Sequence, residues 1–203
     1  MIHINNCEQG SLEWLNARKG LMTASNATAI GNNGKGLETY IKKIMAEKYS
    51  TAEFENYTNK DMERGKELEE QARELYSLTT GEEIDICGFV TNDKYELAGA
   101  SPDGIMKNGN IEIKCLNDVK HFEQIIAEEI EVESGYMRQM QMQMMITEKE
   151  WTSYVLYNPN YKKSLLIKKV FADKEYFKKL QIGLLTGKEL INKIELKAET
   201  NQR

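Results

Sequence analysis

Proline appears twice and cysteine three times in 203 residues, and no serine or glycine tract interrupts the chain. With no linker-like segment and no internal repeat, residues 1–203 read as a single domain, long enough to bury a substantial core. Cys7, Cys87 and Cys115 are widely spaced, form no C-x-x-C pair and are odd in number. Neither a disulfide framework nor a zinc or iron–sulphur site is suggested, and reduced thiols are expected. No run of about 18 or more apolar residues is present to span a membrane. Met1-Ile2-His3-Ile4-Asn5-Asn6 also lacks the charged-then-apolar pattern of a signal peptide, so a soluble, cytoplasmic protein with no membrane partner is expected. A net positive charge is lacking too, since 27 Lys and Arg stand against 32 Asp and Glu. A net charge of −5 argues against a protein that coats nucleic acid through bulk charge, and lysine pairs such as Lys42-Lys43 and Lys162-Lys163 read as solvated faces. The Asn32-Asn33-Gly34-Lys35-Gly36 loop lacks the first-glycine spacing and the final Ser/Thr of a P-loop, which excludes nucleotide binding there.

What the chain does have is a compact set of acids and one lysine. Ser101-Pro102-Asp103-Gly104 is followed, eight residues after Asp103, by Glu112-Ile113-Lys114. The segment reads as short strands joined by turns: Tyr95 to Ala98, a turn at Pro102-Asp103-Gly104, Ile105-Met106, a second turn at Lys107 to Asn110, then Ile111 to Cys115. Side chains alternate along a strand, so Glu112 and Lys114 share one face while Ile111, Ile113 and Cys115 turn into a core. Asp103, at a strand end, reaches the same point, where hard oxygen ligands suit Mg²⁺. Two carboxylates and an ammonium so placed suit phosphodiester cleavage; the competing reading is an exposed cross-strand charge pair.

A helix from about Lys60 to Leu78 adds a third acid. At roughly 100° per residue with Leu68 at zero, Leu75, Ala72, Gly65, Tyr76 and Met62 fall between about −20° and 120°. Glu63, Glu67, Glu70 and Glu74 cluster between about 200° and 260°, whereas Glu69 lies near 100°, on the apolar side. A carboxylate there needs a partner: Arg73 four residues on, or a metal shared with Asp103 and Glu112.

Elsewhere, Ser11 caps a short helix closed by Gly20, and Thr23 or Ser25 caps another ending near Gly31. Further helices are expected over Leu37–Lys48, over Lys120–Glu129 with Phe122, Ile125 and Ile126 inward, over Ser134–Ile146, and from Lys174 to about Lys197. Strands are expected over Glu82–Val90, Trp151–Tyr157 and Leu165–Phe171. The Ser134–Ile146 helix has a methionine face (Met137, Met140, Met144) suited to core packing and a Tyr136/Gln139/Gln143 face suited to hydrogen bonding beside an acidic site. The acidic run Glu128–Glu133 reads as solvated surface. Interleaved strands and helices imply an α/β fold with a central mixed β-sheet flanked by helices.

Taken in order, Trp14 to Gly20, Thr23-Ala24-Ser25, Gly65 to Glu69 with Ala72-Arg73, Ser101 to Gly104, Glu112 to Cys115 and Tyr136 to Gln141 resemble the phage lambda exonuclease family, also called YqaJ-like viral recombinases, within the PD-(D/E)xK nuclease superfamily. The resemblance implies a restriction-endonuclease-like core. It further implies a Mg²⁺-dependent exonuclease that degrades one strand of linear double-stranded DNA from the 5′ end and leaves 3′ single-stranded overhangs for recombination. By that likeness Glu69, Asp103, Glu112 and the Ile113 carbonyl hold two Mg²⁺ ions, with Mn²⁺ as a substitute. Lys114 and Gln139 then attend the attacking water or the scissile phosphate. Arg18, Ser25 and Ser101 form a pocket for the 5′-terminal phosphate, Met62 is a wedge between the last base pairs, and Lys35 stands in a DNA-contacting loop. A ring-shaped homotrimer threading DNA ends and a single-strand annealing partner are implied in the same way. The residues themselves leave three things open. Lys114 can act as base or as electrostatic clamp, the cutting can be end-dependent or internal, and a nuclease fold can also serve as a non-catalytic DNA-end-binding protein.

Overall fold

Trp151-Thr152-Ser153-Tyr154-Val155-Leu156-Tyr157 is buried at all seven positions, because this run of β-branched and aromatic residues lies in the interior of a sheet with a helix on each face. The structure, a computed structural model, describes residues 1–52 and 60–201, the side chains of residues 60–63 and 201 lying outside that description. The described elements run β1 (Ile2–Asn5), α1 (Leu12–Ala17), β2 (Met22–Thr23), a 3₁₀ turn (Ala24–Asn26), α2 (Ala27–Asn32), α3 (Lys35–Tyr49) and α4 (Lys60–Thr80). They continue with β3 (Phe89–Asn92), β4 (Ala98–Ala100), β5 (Gly104–Ile105), β6 (Gly109–Cys115), α5 (Asp118–Ile126), α6 (Ser134–Thr147), β7 (Trp151–Tyr157), β8 (Leu165–Phe171) and α7 (Lys174–Asn201).

The expected α/β architecture is present, with its strands divided between two four-stranded mixed sheets. One has the order β1-β3-β4-β2, the other β5-β6-β7-β8. In the second sheet β6 pairs parallel to β7 from Gly109↔Trp151 to Cys115↔Tyr157, while β5 and β8 join antiparallel on either side. Alternation along β6 behaves as the sequence implies. Ile111 and Ile113 pack with Ala72 and Tyr76 of α4, and Glu112 and Lys114 turn the other way, toward α6. The methionines of α6 fill the core on both of its flanks: Met140 and Met144 against β7 and β8, Met142 and Met145 against the cluster built on α2, α3 and α7.

Three local expectations need correction. Of the Glu82–Val90 segment only Phe89 and Val90 pair in a strand, as the start of β3; Asp85 makes an isolated two-bond bridge with Ile105 instead. Tyr95 to Ala98 is mostly turn, with Leu97 at φ +58°, and the strand begins at Ala98. On α5, Phe122 and Ile126 are 50% and 66% exposed, and the fully buried residue is His121, whose Nε2 meets the Lys163 carbonyl at 2.9 Å. The periodicity identified which residues share a face of α5 but not which face is covered.

Candidate active site

The parallel pairing of β2 with β4 sets Thr23 beside Gly99, and this brings the end of α1 next to the segment that follows β4. Ser11 caps α1 by accepting the Trp14 N–H, and Arg18 ends it. One turn apart on this helix, the Arg18 guanidinium stacks over the Trp14 ring with its central carbon 3.9 Å from the ring centroid. The Trp14 indole N–H donates to Ser101 Oγ at 2.9 Å and to the Gly88 carbonyl at 3.2 Å, which ties α1 to the β4–β5 connection. Arg18 Nη2 donates to Thr23 Oγ1 at 3.2 Å and reaches Ser25 Oγ at 3.5 Å. Thr23 Oγ1 also lies 3.1 Å from Ser25 Oγ and 3.2 Å from the Tyr40 hydroxyl, and it accepts from Asn26 Nδ2 at 3.3 Å. Burial depresses the Arg18 pKa below its ordinary value, opposed by Tyr40 and Glu47. A partly buried cation supplied with hydroxyls and an aromatic face, and with no ion pair among the described residues, is suited to an anion.

Across the cavity the acids meet α6. Glu112 is only 1% exposed, and both of its oxygens are engaged. Oε1 accepts from Lys114 Nζ at 2.6 Å and Gln139 Nε2 at 2.7 Å, and Oε2 accepts from Gln143 Nε2 at 2.6 Å. Charge-assisted bonds of this kind offset the cost of burying a carboxylate. Asp103 Oδ2 accepts the Ile113 N–H at 2.6 Å, which fixes the loop before β5 to the strand that carries Glu112. Part of the Asp103 residue reaches solvent, yet its carboxyl is enclosed. Burial and the neighbouring Glu112 and Glu69 push its pKa well above the carboxylate range, against the pull of Lys114. Burial opposes the charged form of Lys114, but Glu112 and Asp103 outweigh it and the ammonium is held more firmly protonated than a free lysine. Its Nζ also stands 4.8 Å above the Tyr136 ring.

Asp103, Glu112, Lys114, Gln139 and Gln143 line one cavity of about 200 Å³ together with Arg18, Thr23, Ser25, Ser101, Trp14 and Gln9. The structure thus brings together seven of the residues singled out by sequence: Arg18, Ser25, Ser101, Asp103, Glu112, Lys114 and Gln139. Glu69 does not line it. Burial raises its pKa, Lys114 and Arg73 lower it and Glu112 raises it, so it lies within the electrostatic reach of the site. The alternative Glu69–Arg73 ion pair is not formed; Arg73 Nε donates to the Asp103 carbonyl at 3.2 Å. Lys35 begins α3, is exposed and is not among the cavity residues. Met62 belongs to α4 by its backbone, and its side chain lies outside the described residues. Trp14 and Gln143 add contacts that sequence reasoning did not spell out. Gln143 repeats Gln139 one helical turn on, and Trp14 lies four residues before Arg18, a spacing that predicts stacking on a helix.

As for a metal, Asp103 and Glu112 are hard oxygen donors facing one cavity, which matches the habit of Mg²⁺ of taking one or two carboxylates and completing its shell with water and phosphate oxygens. Burial first, and then repulsion from Glu112 and Glu69, raises the Asp103 pKa; a divalent cation would relieve the repulsion. Among the described residues no three His, Cys, Asp or Glu side chains close on a single point, and Glu69 stands within electrostatic reach of Glu112 and Lys114.

A mixed sheet bearing a buried Asp–Glu–Lys constellation against a polar helix face places the chain in the restriction-endonuclease-like α/β class. More narrowly, residues 13–150 match the model of the YqaJ-like viral recombinase domain, and the chain belongs to that family. Among solved structures it is similar to an alkaline exonuclease, LHK-Exo, from Laribacter hongkongensis, at 28% identity over 94% of this chain and 99% of that one, with a TM-score of 0.78. LHK-Exo in complex with dAMP matches with the same values. A phage-related exonuclease from Haemophilus somnus 129PT shares the fold at 15% identity, 88% and 96% coverage and a TM-score of 0.60. No curated protein matches the chain. No helix among the described residues is long and apolar enough to cross a membrane.

Proposed function

We propose that the protein is a Mg²⁺-dependent exonuclease that enters linear double-stranded DNA at an end, degrades the 5′-terminated strand and leaves a 3′ single strand for phage-type recombination. One observation carries this reading: the acid–lysine group and the Arg18–Ser25–Ser101 cluster share a single cavity of about 200 Å³. A phosphate held at Arg18 positions the next phosphodiester toward Asp103, Glu112 and Lys114, which couples cutting to possession of an end. The LHK-Exo likeness supports it, since that protein is an alkaline exonuclease crystallised with a nucleoside monophosphate.

In this scheme Asp103, Glu112, Glu69 and the Ile113 carbonyl hold up to two Mg²⁺ ions, for which Mn²⁺ substitutes. The metal, when bound, supplies a polarised phosphoryl oxygen and an acidified water. Lys114, held protonated by Glu112 and Asp103, places positive charge where the phosphorane gathers negative charge. Gln139 and Gln143 keep the Glu112 carboxylate in orientation through its two oxygens. Met62 and Lys35 belong to the path of the duplex toward the cavity. A homotrimeric ring threaded by DNA, a single-strand annealing partner that takes the 3′ strand, and a cytoplasmic setting complete the proposal.

Incubation of the purified protein and Mg²⁺ with linear duplex and with covalently closed circular DNA of the same sequence tests it. Digestion of the linear form alone is expected. Cutting of the closed circle would establish internal cleavage instead, and loss of neither form would mean that the chain is not a nuclease.

A further inference from the structure

Both oxygens of Glu112 are held from one helix, by Gln139 and Gln143 a single turn apart, so the orientation of this carboxylate depends on how α6 lies along β6. The apolar flanks of α6 fix that register poorly. They are largely methionines, Met140 and Met144 on one side and Met142 and Met145 on the other, and an unbranched thioether side chain adapts to small shifts of its neighbours. Directional contacts fix it: Asn92 donates to the Ile146 carbonyl and Gln141 bonds Phe171 and Asp173 on other elements, while at the C-terminal end of α6 the contact with β6 falls at Thr147.

Thr147, the last residue of α6, is buried. Its hydroxyl donates to the Gln143 carbonyl at 2.8 Å and accepts from Asn110 Nδ2 at 2.9 Å. A threonine bonding back to the carbonyl four residues earlier is common in helices. Here the same hydroxyl is also the acceptor for a fully buried amide from β6, two residues before Glu112 and on the same face of the strand. Asn110, Thr147, Gln143 and Glu112 thus form a continuous hydrogen-bonded seam from strand to helix and back to strand, with Asn110 Oδ1 and Gln143 Oε1 left without partners among the described residues.

We infer that Thr147 and Asn110 are positioning residues for the candidate active site: their hydrogen bond sets the register of α6 on β6 and, through Gln143 and Gln139, the orientation of Glu112. The kinetic consequence rests on the nuclease reading; the structural consequence does not. Thr147→Val removes the hydroxyl and leaves the Asn110 amide buried without its acceptor, whereas Thr147→Ser keeps both bonds.

Two readouts decide the inference. In steady-state cleavage of linear duplex DNA with Mg²⁺, Thr147→Val is expected to lower kcat about tenfold with KM unchanged, because a small misplacement of a catalytic group is felt in the transition state rather than in substrate binding. Thr147→Ser restores kcat, and Asn110→Ala added to Thr147→Val costs little more than either alone. In the metal-free protein, hydrogen exchange at the Gln143 side-chain amide, followed by NMR, is expected to quicken about tenfold in Thr147→Val and to stay slow in Thr147→Ser, since the seam shields this fully buried group. A Thr147→Val protein with unaltered kcat and unaltered amide exchange, or a Thr147→Ser protein as impaired as Thr147→Val, would overturn the inference. Should Thr147→Val fail to fold, Asn110→Ala interrupts the same bond from the strand side and is read in the same way. A wild-type protein that cleaves no DNA would remove the nuclease reading, while the amide exchange would still decide the seam.

Discussion

At one end of the cavity a buried carboxylate, Glu112, meets a lysine and two glutamines; at the other a guanidinium, Arg18, meets two hydroxyls and an indole face. The first end is built on a sheet with a helix against each face, where β6 lies between β5 and the wholly buried β7. The second is assembled from a six-residue helix, a 3₁₀ turn and the segment after β4. The first buries a carboxyl among other acids, and burial together with that negative charge makes it resist ionisation. The second has no carboxylate among its hydrogen-bonding partners in the described residues. The difference suggests a division of labour: the acidic end suits a cation and a reacting phosphodiester, while the Arg18 end suits a terminal phosphate that is held and not cut.

Breaking the acidic end should have the largest effect. Glu112→Gln or Lys114→Ala is expected to reduce cleavage of linear duplex by about a thousandfold or more, in keeping with the loss of a group acting on the transition state. Gel assays on folded variants check this. Chelation with EDTA should stop the wild-type protein equally and added Mg²⁺ should restore it, whereas retained activity in EDTA would separate the acidic end from metal chemistry. Arg18→Ala comes next. It should slow 5′-phosphorylated duplex about ten- to a hundredfold and leave 5′-hydroxyl duplex nearly unchanged, the signature of a lost charge-assisted phosphate contact. Equal slowing of both substrates would dissolve the distinction between the two ends. Trp14→Leu removes the stack beneath Arg18 and the donor to Ser101; since a cation–π contact at such a site is worth about 0.5–1 kcal/mol, the phosphate preference should fall about two- to fivefold. Ser25→Ala, which loses one long hydrogen bond to Arg18, should lower it by no more than about twofold.

Much of this architecture was legible in the residues, and the exceptions have a common cause. β7 and β8 begin and end where their apolar and β-branched runs do, and α1 starts at the serine that caps it. The alternation Ile111, Glu112, Ile113, Lys114 correctly separated core from site, because period-two patterning is a local property. Glu82–Val90 misled because pairing depends on a distant partner: Asp85 finds Ile105, and the residues up to Phe89 find no continuous neighbour strand. The outward turn of Phe122 and Ile126 was hidden for a related reason, since the bond from His121 to Lys163 that pins the other face of α5 spans 42 positions. Within the site, Asp103, Glu112 and Lys114 announce themselves by spacing, while Gln139 was singled out from its polar stripe by the family resemblance. Gln143 was visible on its stripe but became a partner of Glu112 only once α6 was placed on β6. For Glu69 the helical wheel gave the direction, toward the apolar side of α4, where Lys114 and Glu112 act on its charge.

The central claim, that a single cavity both reads the end and cuts beside it, is tested most directly by the order of label release from a linear, 5′-phosphorylated duplex carrying distinct labels at its 5′ and 3′ termini. The account predicts that the 5′ label appears first as a mononucleotide while the 3′ label stays on a lengthening single strand. Release of the 3′ label first, or of both in internal fragments, would contradict it.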